Sequence, residues 1–178
     1  MGLLVLGRRD AARSLFEQML AEFPGDDYAL ASKAQLQAQG GDRAAALATM
    51  KELLARHDHV GAHWFNYGFL LEEEGDYERA EAAFRRATEL SPQLDRAWYG
   101  LGLVLIRLQR LDEAVAALKR NTQLQPMSPY GWYQLARVHV ERQEPEEARK
   151  IIRHLHRFEP KVANQLVRET GLSVEQAG

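Results

Sequence analysis

Six histidines, His57, His59, His63, His139, His154 and His156, are the side chains best suited to hold a metal or move a proton near neutral pH. His57 and His59 are two residues apart, and so are His154 and His156. On a helix that spacing turns the imidazoles about 200° from one another. A helical metal pair needs i, i+4, so no metal site is expected from these two pairs. Cysteine is absent, which excludes disulfides, thiol nucleophiles and thiolate metal sites. Glu72, Glu73 and Glu74 offer three carboxylates in a row, but a solvated helix end explains them more simply than a general acid–base pair. Gly100 and Gly102 sit in a helical pattern, where small residues allow close packing; they do not form a phosphate loop. No Ser–His–Asp arrangement can be assembled from the spacing. The chain is therefore expected not to be an enzyme, and to need no cofactor.

The aromatic residues are the more promising chemistry. "WFNYGF", residues 64–69, places Trp64, Phe65, Tyr67 and Phe69 within six positions. They cannot all face one way on a helix or a strand. Composition sets the frame: 178 residues, 46% hydrophobic, 27% charged and a formal net charge of −2. That suits a globular chain and gives no global attraction to nucleic acid or to an acidic membrane. The apolar start "GLLVLG", residues 2–7, is far short of the ~20 residues of a membrane-spanning helix. It lacks the marks of a secretory signal, and Leu6 stands where a myristoylation signal needs Ser or Thr. A soluble segment is expected, with no direct membrane insertion.

One interval organises the chain. Trp64, Trp98 and Trp132 are each 34 residues apart, as are Pro92, Pro126 and Pro160. Ala12, Ala46, Ala80, Ala114 and Ala148 keep the same step. Within residues 61–94, Trp64, Tyr67, Gly68 and Leu71 have the spacing of one helical face. "EGDY" interrupts it, with Asp76 placed as an N-cap. Ala80, Ala83, Phe84 and Ala87 mark a second helical face, and Ser91–Pro92 stops it, because the residue before proline leaves the α region. Pro145 falls at a first helical position, where proline is tolerated. No period-2 run suggests a strand.

A 34-residue helix–turn–helix with W-x₂-[LY]-G, then A-x₃-F, then P resembles the tetratricopeptide repeat pattern. The resemblance covers residues 1–162. "WFNYGFLLEEEGDYERAEAAFRRATELSP" meets nearly every marker. The next unit has Leu118 for Phe and Asn121 for a small residue, and the last has Ala136 for Gly. The unit at 27–60 is weaker, with Leu30 for Trp, Lys33 for an apolar residue and Asp58 for Pro. Residues 1–26 fit the second half of a unit, with Gly7, Ala12, Phe16 and Pro24 in phase and the first helix almost wholly missing. Residues after Pro160 read as a closing helix ended by Gly171. The resemblance implies an all-α solenoid of stacked helix-turn-helix units in a right-handed superhelix. It would be a single domain, with repeats at 27–60, 61–94, 95–128 and 129–162, and a capping helix and tail at 163–178.

The aromatics then divide. With Trp64 at zero, Tyr67, Gly68 and Leu71 lie within about 60° of it and form the packing face. Phe65 and Phe69 lie roughly 100–140° away, on a second stripe. In tetratricopeptide repeats that stripe of the first helix lines the concave, ligand-bearing surface. In the other units it holds Tyr28, Ala31, Gln35 and Ala38; Arg96, Tyr99, Leu103 and Ile106; and Tyr130, Tyr133, Arg137 and Val140. The expected partner-binding residues are Tyr28, Gln35, Phe65, Asn66, Phe69, Arg96, Tyr99, Leu103, Arg107, Tyr130, Tyr133 and Arg137. Tyr, Phe and Arg are enriched at interface cores. Repeats that clamp a chaperone's C-terminal carboxylate use Lys and Asn at these positions, and only Asn66 resembles them here. An apolar peptide or helix is the expected ligand, and Phe65, Phe69, Tyr99 and Tyr133 are expected to do little for the fold.

The expected function is a protein-interaction scaffold; nucleic acid is not an expected partner. The alternative is a self-associating assembly module, a homo-oligomer, within a larger and membrane-anchored bacterial envelope or secretion complex. The Ala-, Leu- and Arg-rich usage matches bacterial chains, and either the cytoplasm or the periplasm fits. Arg149, Lys150, Arg153, Arg157 and Lys161 make a second, basic surface on the last unit. Leu3 stands where a packing residue before a turn belongs, which reads as a start inside a truncated helix and hence as a fragment of a longer protein. That would leave Leu15 and Phe16 partly uncovered.

Overall fold

The computed structural model describes residues 2–173, and leaves out the side chains of residues 1–10. The reading of Leu3 and the tail beyond residue 173 lie outside the described residues. Among the described residues ten helices follow one another: α1 (Gly2–Glu22), α2 (Asp27–Gln39), α3 (Arg43–Arg56), α4 (Gly61–Glu73), α5 (Tyr77–Leu90), α6 (Asp95–Arg107), α7 (Leu111–Leu124), α8 (Pro129–Glu141), α9 (Pro145–His156) and α10 (Pro160–Thr170). No strand occurs among the described residues. The helices form two compact units, Met1–Pro92 and Gln93–Gly178. In each, every helix packs on the next in the chain, and in the second unit α10 also packs on α8.

The 34-residue markers have steric causes. Ala46, Ala80, Ala114 and Ala148 are all fully buried. On α4 and α6 a small residue of the first helix meets a bulky one of the second. A Cβ on Gly68 would sit 3.0 Å from the ring of Phe84, and one on Gly102 would sit 2.7 Å from Leu118. Ala34 and Met50, and Ala136 and Ile152, hold the same phase and are buried as well. The tryptophans fasten turns. The indole Nε1 of Trp64 donates to the carbonyl of Asp58 at 2.7 Å, and that of Trp132 to Pro126 at 2.9 Å. Tyr67 is buried edge-on to Trp64, and its hydroxyl accepts from Arg79 at 2.6 Å.

The turns inside the pairs differ between the units. Gly41 and Gly75 take positive φ, and Asp42 and Asp76 then cap α3 and α5 by accepting from the backbone N–H of Ala45 and Arg79. In the second unit the same turn positions are Gln109 and Gln143, at φ 59° and 60°. No side chain caps α7 or α9 there, although Pro145 opens α9 as expected.

Two sequence expectations meet a different arrangement. The phase of Gly7 implies a turn, but α1 runs through it unbroken. Arg8 stands where Asp42 and Asp76 cap the later helices, but Arg110 holds the same position before α7, where the turn forms without a side-chain cap, so the missing cap alone does not account for the continuous helix. Phe65 is not a purely surface residue. It is half-buried, with its ring 5.9 Å from the buried Phe84, because Gly68 lets Phe84 rise against α4.

Candidate functional site

Each first helix repeats one pattern of exposure. The position of Tyr28, Ala62, Arg96 and Tyr130 is exposed in all four. The position of Ala31, Phe65, Tyr99 and Tyr133 is half-buried in all four. The position of Gln35, Phe69, Leu103 and Arg137 is exposed except at Leu103, which is half-buried. The stripe therefore has a supported central row flanked by two open rows. In α4 the central row leans on the second helix of its pair through Phe65 and Phe84, which the α4 periodicity does not reveal. Phe65 and Phe69 differ by only about 40° around the helix.

In the first unit, Tyr28 is 66% exposed and Phe69 47% exposed. Asn66 and Gln35 are exposed beside them. Tyr28 meets Phe16 of α1 edge-on, with centroids 6.0 Å apart, so Phe16 is half-covered. Leu15 remains exposed. In the second unit, Tyr130 is 70% exposed, and Arg96, Arg107 and Arg137 are exposed. Tyr99 and Tyr133 both rest against the core built around Leu118, Leu135 and Ile152. The Tyr133 hydroxyl donates to Glu169 of α10 at 2.6 Å, and the Arg137 guanidinium stands 5.7 Å from the Tyr133 ring centroid.

Sequence reasoning missed the charge relations. The hydrogen bond to Glu169, with burial second, pushes the Tyr133 phenol above its usual range. The bonds from Tyr133 and Gln165 hold the Glu169 carboxyl below its own. His63 is a second omission. It is buried on α4 at the phase of Ala29, Ala97 and Gly131, and that run of small residues could have revealed it. Its Nε2 lies 3.7 Å from Asp27 and makes no hydrogen bond among the described residues. Burial lowers its pKa, Asp27 opposes the shift, and His57 and His59 reinforce it.

The other clusters are engaged or open to solvent. Glu73 and Glu74 both lie 3.6 Å from Arg43. On α9, Arg149 pairs with Glu146 and Lys150 with Glu147, while Arg153, Arg157 and Lys161 are exposed. Among the described residues no group of three or more His, Asp or Glu could hold a metal ion. None of their helices is long and apolar enough to cross a membrane.

Comparison with known proteins agrees with the helix pairing. The family profile described as tetratricopeptide repeat matches four overlapping stretches, residues 2–59, 32–95, 70–129 and 101–158. The crystal structure of MamA superposes with a TM-score of 0.81 at 19% identity, over 90% of this chain and 94% of that one. YrrB, described as a tetratricopeptide repeat protein with an unusual peptide-binding site, gives 0.76 at 18% identity over 88% and 84%. PilF of Pseudomonas aeruginosa gives 0.74 at 22% identity over 97% and 89%. No curated protein matches by sequence.

Proposed function

This chain belongs to the tetratricopeptide repeat family, and we propose that it binds an apolar peptide or helix of a partner protein on the stripe of its first helices. The fold supports a protein-interaction scaffold in general terms; the stripe is the finer reading. The observation that carries it is Phe69. A phenyl group 47% exposed in the middle of α4 leaves apolar surface in water that folding does not need. Tyr28 and Tyr130 repeat the feature on α2 and α8. Each such ring buried by a partner contributes roughly 1.5–3 kcal/mol. The peptide-binding site of YrrB is a property of that protein, and it supports this reading only as an example of what the fold carries.

A photo-crosslinking phenylalanine analogue tests the surface directly. Placed at Phe69 or Tyr130, it should yield adducts with partner proteins in cells. Ala82 and Ala116, exposed on α5 and α7, are the control positions. Adducts from the controls alone would overturn the proposal.

Self-association is the second reading, and α1 favours it. Leu15 on α1 and Phe23 just past its end are both large, apolar and more than half exposed. Light scattering of the wild type and of Leu15→Ser with Phe23→Ser separates the two. A dimer that dissociates in the double variant supports self-association through α1, and a monomer at all concentrations removes it.

A further inference from the structure

The second unit satisfies one part of its own stripe with a carboxylate. Tyr130, Tyr133 and Arg137 follow one another along the stripe of α8. Tyr133 donates its hydroxyl proton to Glu169 Oε2, and Gln165 donates its side-chain amide to Glu169 Oε1 at 2.7 Å. A hydrogen bond to an ionised carboxylate is roughly twice as strong as a neutral one. Arg137 stands over the same ring, within the ~6 Å range at which a cation is drawn to it. The group is thus an anion-accepting donor set beside the exposed ring of Tyr130. Its present occupant comes from the closing helix.

We infer that Glu169 is a displaceable, intramolecular occupant of a carboxylate site formed by Tyr133 and Arg137. The intended occupant is an Asp or Glu side chain within an apolar segment of the partner. This rests on the proposed reading of the stripe and adds the partner's charge to it. Three features support it. Glu169 is exposed, so water competes for it and its release costs little. Tyr130, 70% exposed one turn before Tyr133 on α8, supplies apolar ground beside the site. The exposed cation in the cluster, Arg137, complements an acidic group and disfavours a basic one. Bond formation is an exchange: the Tyr133 hydroxyl leaves one carboxylate and donates to another, so no donor is stranded.

The probe is a capped synthetic peptide alternating glutamate with leucine, compared with its glutamine counterpart, by fluorescence anisotropy and backbone amide spectra of the full chain. The acidic peptide should bind more tightly than the glutamine peptide and shift the amides of Tyr130, Tyr133 and Arg137. Glu169→Ala should raise its affinity several-fold by removing the competitor. Arg137→Gln should lower it to that of the glutamine peptide. Thermal melting of both variants confirms that they remain folded. Equal binding of the two peptides at α8 would overturn the carboxylate site and leave the apolar stripe standing. Shifts confined to other helices, or no gain from Glu169→Ala, would also overturn it. Failure of both peptides to bind would count against the site and the stripe together.

Discussion

The two units build the same helix pairs from different turn residues and dress the same stripe in different chemistry. In the first, Gly41 and Gly75 take the left-handed turn position and Asp42 and Asp76 cap the helix that follows. In the second, Gln109 and Gln143 take that backbone conformation and no side chain caps the next helix. On the stripe, the open rows of the first unit are uncharged: Tyr28, Gln35, Ala62 and Phe69. Those of the second unit carry Arg96, Arg137 and Tyr130. The half-buried row is Ala31 and Phe65 in one, Tyr99 and Tyr133 in the other. Position in the pair sets burial. Residue type at the open rows is free to vary, and recognition can be written there without cost to the fold.

The largest expected effect tests what the units share. Ala114→Glu should destabilise the second unit by about 3–5 kcal/mol, because it forces an unpaired charge into a fully buried contact. Ala116→Glu, on the exposed side of the same helix, should stay within about 0.5 kcal/mol. Urea titration followed by circular dichroism distinguishes them, and equal losses would mean the helix phase is wrong.

The next test separates rows of the stripe. Phe65→Ala should cost about 2 kcal/mol, since its half-buried ring packs against Phe84. Phe69→Ser should cost no more than about 0.5 kcal/mol. Equal melting temperatures would erase the distinction between supported and open rows.

The turns give a smaller effect of opposite sign in the two units. A non-glycine residue in the left-handed region carries roughly 1–2 kcal/mol of strain, partly offset by glycine's unfolded-state entropy. Gln109→Gly should therefore raise stability by up to about 1 kcal/mol, and Gly75→Gln should lower it by a similar amount. Denaturant midpoints report both, and a loss on Gln109→Gly would show that its side chain does more for the turn than its backbone costs.

The smallest effect is a pH dependence confined to the first unit. Burial lowers the pKa of His63 below 6.5, so the unfolded chain takes up the proton more readily than the folded one. The contribution of neutral His63 is complete above about pH 6.5 and is lost as pH falls toward its folded value. Melting profiles between about pH 7.5 and 5.5 should fall less steeply in His63→Ala than in wild type. Identical slopes would place the acid sensitivity elsewhere.

Legibility followed locality. Ala46 to Ala148 and Gly68 against Phe84 answer to contacts that recur in each repeat, and Trp64 and Trp132 to a bond six residues back across the repeat boundary, so a fixed interval betrays them. The positive φ of Gln109 and Gln143 was open to the same reasoning, since they continue the phase of Gly41 and Gly75. The support under Phe65 depends on a ring 19 residues further on, and the Tyr133–Glu169 bond spans 36 residues into a helix that has no counterpart in the repeat. Neither follows from the periodicity of one helix. The continuity of α1 escaped for another reason: Gly7 keeps the phase of the later turn glycines, yet the helix runs through it.

The central claim is that the open rows bind a partner without serving the fold. It is tested most directly by measuring melting temperature and affinity together in the Phe69→Ser, Tyr130→Ser double variant, using the partner identified by crosslinking. The account predicts a melting curve that overlays wild type and an affinity reduced by at least about tenfold, which corresponds to ~1.4 kcal/mol. A folded double variant that binds as tightly as wild type would contradict it.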